Sequence, residues 1–154
     1  MGYTFTIGNA TPRHHKDDFP YLSAEWDVDG MTLEDAPTFP GDEMTGSSNQ
    51  RSSSYSVWSS FCKEVGLYEV FYYETGHLVG SHPGCAGITK EMCDHVTDRL
   101  REWKSKASLP AGFEAEWGYK GPPNFDYSLA RLTWLEWWMR WALENCETPA
   151  IANY

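Results

Sequence analysis

The chain is short of positive charge. Its 154 residues hold 12 Lys and Arg against 22 Asp and Glu, a formal net charge of −10. Binding to a nucleic-acid backbone needs basic side chains to displace counterions, so direct nucleic-acid binding is not expected. No apolar run is long enough to cross a bilayer, and no basic-then-apolar leader opens the sequence, so the expected location is the cytoplasm. Cysteine is sparse. Cys62, Cys85, Cys93 and Cys146 are scattered and read as reduced thiols rather than a disulfide framework. Glycine fingerprints for dinucleotides or nucleoside triphosphates are missing, as are a Gly-x-Ser-x-Gly elbow and any internal repeat.

Aromatic residues are abundant at 16%, with eight tryptophans, and hydrophobic residues make up 41% of the chain. That is enough to build one globular domain over residues 1–154. Four of the tryptophans fall in Asp126–Cys146, which reads as one long helix capped by Asp126 after Pro122-Pro123. At 100° per residue, Leu132, Leu135, Met139, Ala142 and Leu143 fall together, and Trp134, Trp137, Trp138 and Trp141 widen the apolar arc. Glu136, Arg140, Glu144 and Glu147 form the polar stripe. Such a helix is central to a fold. Arg131 projects into the apolar arc. Either it snorkels to water from the first turn, or it is a cation held in a pocket walled by tryptophans.

Two more helices are expected. One is capped by Ser53 or Ser54 and runs to Val65, with Tyr55, Trp58, Cys62 and Val65 on one stripe and Gly66 as the stop. The other opens at Thr89 and runs to Lys106, burying Met92, Val96, Leu100 and Trp103. Leu67–Tyr73 suits a helical turn or two, or a strand. Tyr3–Ile7 and Leu22–Val28 read as two strands of an antiparallel pair, with a turn at Asp29-Gly30. Met31–Ser54 reads as a long loop, Gly76–Gly87 as another, and the tail after Cys146 as extended. The expected fold is therefore α+β and mainly helical: three principal helices with a small N-terminal antiparallel β element.

Several constellations could carry chemistry. His77, His82, Cys85, Cys93 and His95 include pairs at ligand-like spacing, but Cys93 and His95 point about 160° apart on a regular helix. Neither a metal nor a cofactor is expected. Cys85 lies just ahead of a helix, where a dipole would favour the thiolate, with no partner base in view. Asp17 with Asp18, and Asp42 with Glu43, offer adjacent carboxylates of the kind loops often carry. A metal-assisted hydrolase is one reading of these groups, but no catalytic residue is assigned and an enzyme is not favoured.

The anion-binding signal is more coherent. Gly46–Ser54 joins small residues, Asn49 and Arg51 to a helix N-terminus, where backbone N–H groups and an arginine favour anions. Arg131 lies in another first turn, and Arg13, His14, His15 and Lys16 add positive groups to an otherwise acidic chain. Aromatic faces would stack a base. The expected ligand is a small nucleotide-like anion, with Arg51, Arg131, Arg13 and His14 toward its phosphate, Asn49 for polar recognition and Trp134 for stacking. A shared pocket would make a homo-oligomer. The competing reading is an acidic inhibitor that covers a basic host protein.

The stretches APTFPGDEMTGSSNQRSSSYSVW (residues 36–58) and LARLTWLEWWMRWALENCETPAIANY (residues 129–154) resemble segments of small uncharacterised proteins encoded in bacteriophage and prophage genomes. That resemblance brings no activity motif. It implies a small accessory protein made in the host cytoplasm during infection, and by analogy a counter-defence protein that sequesters a nucleotide signal or blocks a host protein.

Overall fold

A computed structural model describes residues 2–12, 26–40, 47–72, 78–80, 82–113 and 124–154. In chain order the elements are β1 (Gly2–Pro12), β2 (Trp26–Val28), β3 (Gln50–Ser54), α1 (Tyr55–Val65), α2 (Tyr68–Tyr72), β4 (Gly84–Gly87), α3 (Lys90–Lys106), α4 (Tyr127–Asn145) and β5 (Pro149–Asn153). The strands form one curled antiparallel sheet in the order β2-β1-β5-β4, with β3 also on β1. The expectation of a mainly helical fold with a small N-terminal β element is thus wrong: among the described residues the sheet has five strands, drawn from Gly2 to Asn153.

The expected pairing of the first two strands is present, with Ala10 opposite Val28 and Pro12 opposite Trp26. It is one corner of a larger ladder. β1 is eleven residues long and uses both edges. Its first half pairs with β3, from Gly2↔Ser54 to Thr6↔Gln50, and its middle pairs with β5, where Ile7 faces Ile151. β4 then adds to the free edge of β5. Three of these strands, QRSSS, GCAG and PAIAN, lack the alternating β-branched pattern that announces a strand. They are extended because β1 supplies unpaired edges to β3 and β5, and β5 supplies one to β4, and a buried edge must satisfy its N–H and C=O groups.

Alternation along the strands divides the core in two. Phe5, Ile7, Ala86 and Ile151 point toward the helices. Ala10, Cys85, Ala150 and Ala152 point to the other face, where Trp26 and Val28 of β2 cover them. The small side chains on that face let the curled strand lie close.

The helices begin and end where the sequence predicts. Ser54 Oγ accepts from Val57 N, Thr89 Oγ1 from Met92 N and Asp126 Oδ1 from Leu129 N. Gly66 ends α1 at φ 82°, a conformation that favours glycine, and its N–H reaches Cys62 O. α4 packs on α3 and on the helix-side face of the sheet. Leu132, Trp134, Leu135, Trp138, Met139 and Ala142 are all fully buried. Each buried tryptophan removes about 200 Å² from water, on the order of 5 kcal/mol by area. The expected polar stripe is broken at Glu136, which is buried against α3. Its carboxylate accepts from Thr97 Oγ1 (3.3 Å) and pairs with Arg140, so the charge is neutralised where α4 meets α3.

Candidate functional site

The edge of β1 opposite β5 has a gap where β3 ends and β2 has not begun, and Asn49 fills it. Its backbone carbonyl accepts from Ile7 N, and its side-chain Nδ2 donates to Ile7 O and Asp29 O at 2.8 and 2.9 Å. Its Oδ1 accepts from Met31 N at 2.7 Å. The side chain imitates a stretch of strand and is fully buried. Asn49, expected to read a ligand, instead has its polar atoms engaged in joining β1 to the turn after β2.

Two residues further on, the alternation of β3 turns Arg51 inward. It is 6% exposed, and its guanidinium carbon lies 4.0 Å from the centroid of the Phe113 ring, 5.5 Å from Trp134 and 5.9 Å from Phe39. Trp134 is fully buried and donates Nε1–H to Ser48 O at 3.0 Å. Its ring is packed against Arg51 and the core, so the stacking face expected of it is covered.

Arg131 lies against the same Phe113 ring. Its guanidinium carbon is 5.6 Å from the Phe113 centroid and 5.7 Å from that of Phe61. Burial pulls its pKa down from the usual arginine range, the nearby Arg51 charge pulls it further, and Glu64 and Tyr127 act in the opposite sense. Among the described residues Arg131 makes no hydrogen bond and no ion pair. It lines a groove of about 660 Å³ between α1 and the start of α4. The walls are not those expected: phenylalanines flank Arg131, and among the described residues Trp103 of α3, not a tryptophan of α4, lines the groove.

The groove is assembled from three helices. Ser56, Ser60 and Glu64 come from one face of α1, Trp103 from the last turn of α3, and Phe125, Tyr127, Ser128 and Arg131 from the entry to α4. Ser128 Oγ donates to Glu64 Oε1 at 3.0 Å and ties α4 to α1. Trp103 Nε1–H donates to Asp126 Oδ2 at 2.8 Å, so the capping carboxylate also holds α3 in place. A Cβ at Gly112 would collide with the Phe125 ring, so glycine there admits one wall of the groove. Phe113, Ser56, Ser60 and Glu64 went unread in the sequence, and Trp103 was read only as part of the buried stripe of its helix. A serine stripe at Ser56, Ser60 and the following Glu64 at four-residue spacing was the one signal that could have marked them.

The remaining sequence candidates do not join this groove. Arg13, His14, His15, Lys16, Asp17, Asp18, Asp42, Glu43 and His77 lie outside the described residues. Cys85 lies ahead of α3 but within β4, on the covered sheet face, and burial pushes its thiol up to about 12. Cys93 is buried on α3 while His95 is exposed and bonded to Gly66 O at 3.0 Å, in keeping with their angular separation. Among the described residues no three His, Cys, Asp or Glu side chains gather as a metal site. A separate surface cluster was not foreseen. Asn153 Oδ1 can only accept, so it takes the proton of His82 Nδ1 (2.5 Å), leaving Nε2 to accept from Tyr55 Oη–H at 3.0 Å. Tyr3 packs edge-on against both rings.

Comparison of the chain with protein-family models, with curated proteins and with solved structures returns no match.

Proposed function

We propose that this chain is a non-enzymatic binding protein for a small nucleotide-like anion, held in the groove beside Arg131. The supporting observation is the guanidinium itself. It is half-buried, it rests on two aromatic rings, and among the described residues it has no hydrogen-bond or ion-pair partner. A cation kept in that state is poorly satisfied by the protein, and a bound anion would supply the missing charge-assisted hydrogen bonds. Serine hydroxyls at Ser56 and Ser60 add donors, and Phe61, Trp103 and Tyr127 add apolar faces. The volume falls within the range of small-molecule sites. In the setting that the sequence resemblance implies, such a protein would act by sequestering a signalling nucleotide.

Two measurements test the reading. Mass spectrometry of ligand released from the purified protein should find a phosphate-bearing small molecule, and calorimetry with nucleotides should show binding that Arg131→Gln weakens about 10- to 100-fold. Arg131→Gln protein that binds the same nucleotide with unchanged affinity would dispose of the site.

A further inference from the structure

The charge inventory of the groove sharpens what it can hold, resting on the reading just given. Among the described lining residues there is one cation, Arg131, and there are two carboxylates, Glu64 and Asp126. Asp126 has both oxygens engaged, one by Leu129 N–H and the other by Trp103 Nε1–H. Its charge is held in place and cannot swing away. Glu64 accepts from Ser128 at Oε1, and among the described residues no hydrogen bond engages its Oε2, which is left as an acceptor. The first turn of α4 offers little free dipole, since Asp126 already caps it.

A ligand with one negative charge can meet Arg131 and offer N–H or O–H groups to Glu64. Each further negative charge meets the two carboxylates and, among the described lining residues, no second cation; Arg51, the other arginine on the Phe113 ring, is not among them. The aromatic walls at Phe61, Trp103 and Tyr127 call for a planar body between those two ends. We propose that the groove is a charge filter: it takes a monoanion with a planar, hydrogen-bond-donating body, the class of a cyclic mononucleotide, and discriminates against nucleoside di- and triphosphates. Glu64 is the residue that sets this selectivity and Arg131 the residue that sets affinity.

The test is calorimetry on the intact protein, with folding of each variant checked by thermal melting. The probes are 3′,5′-cyclic AMP and cyclic GMP, then ADP and ATP, against wild type, Glu64→Gln and Arg131→Gln. Wild type is expected to bind a cyclic mononucleotide at least about tenfold more tightly than ADP. Glu64→Gln should narrow or reverse that ratio, mostly by tightening ADP and ATP, and Arg131→Gln should weaken all probes together. If ADP or ATP binds wild type as tightly as the cyclic nucleotides, or if Glu64→Gln leaves the ratio unchanged, the filter is wrong although the groove still binds anions. If no probe binds wild type, or if Arg131→Gln binds as wild type does, both the filter and the groove reading fall.

Discussion

Arg51 and Arg131 share one aromatic neighbour, Phe113, at 4.0 and 5.6 Å, and each feels the other's charge. Arg51 arrives on a strand whose alternation points it into the protein, and three rings surround its guanidinium. Arg131 arrives on the first turns of a helix, beside the seam where α1 and α4 part, and one side of it opens on the groove. The same side chain is thus a packing element in one place and a receptor group in the other. The element that delivers it, and not its chemistry, makes the difference. In the sequence the two arginines look alike, since each lies near a helix start among small or aromatic residues.

The comparison can be broken most forcefully through Asn49. Replacing it by Ala leaves Ile7 O, Asp29 O and Met31 N unpaired beside β3, the strand that presents Arg51. Asn49→Ala should lower unfolding stability by about 3 kcal/mol in urea titration. A smaller effect is expected from Arg51→Met, which keeps the stem and removes the cation from its ring cage, at about 1–3 kcal/mol. Arg131→Met should change stability by less than about 1 kcal/mol in either direction, since it removes a half-buried, unpaired charge along with its ring contacts. Equal losses from the two methionine variants would erase the distinction between them.

The least effect, and a control on the α3 flank of α4, comes from Cys93. Burial first, and the neighbouring Glu136 and Asp94 charges after it, push its thiol up to about 11. A folded-state pKa above the unfolded one stabilises the fold fully below the unfolded value and loses that contribution as pH rises through the folded one. Stability should therefore decline from about pH 9 toward pH 11. The decline should be shallower in Cys93→Ala and unchanged in both arginine variants, which melting curves across that range will show.

The helices were legible because their signals are local. A capping side chain, a 3.6-residue stripe and a stop glycine all act within a turn, as Ser54, Asp126 and Gly66 do. The sheet was not, because β3, β4 and β5 are extended for a reason that lies elsewhere in the chain, on the edges of β1 and β5. Serine, glycine and alanine in those strands suit close approach rather than propensity. The site divides the same way. Arg131 could be singled out as a cation on an apolar arc, and Arg51 as a cation beside a helix start. That Phe113 would lie between their contacts, or that Glu64 and Trp103 would meet Arg131 across a groove, depends on packing angles that no window of sequence contains. The same blindness made Asn49 and Trp134 look like ligand residues, when their polar atoms are engaged by the backbone at Ile7, Asp29, Met31 and Ser48.

The pairing of Ile7 with Ile151 spans almost the entire length of the chain. Closing so long a loop has an entropy cost that grows only slowly with its length, yet nothing rewards it until the final contact forms. α3 and α4, neighbours along the chain, can meet early. β5 must then enter between β1 and β4, and until it does both strands hold unsatisfied edges. Folding should accordingly show a helical phase followed by a slower sheet-closing step. During that interval the edge of β1 is the surface on which the chain is most exposed to pairing with another copy of itself.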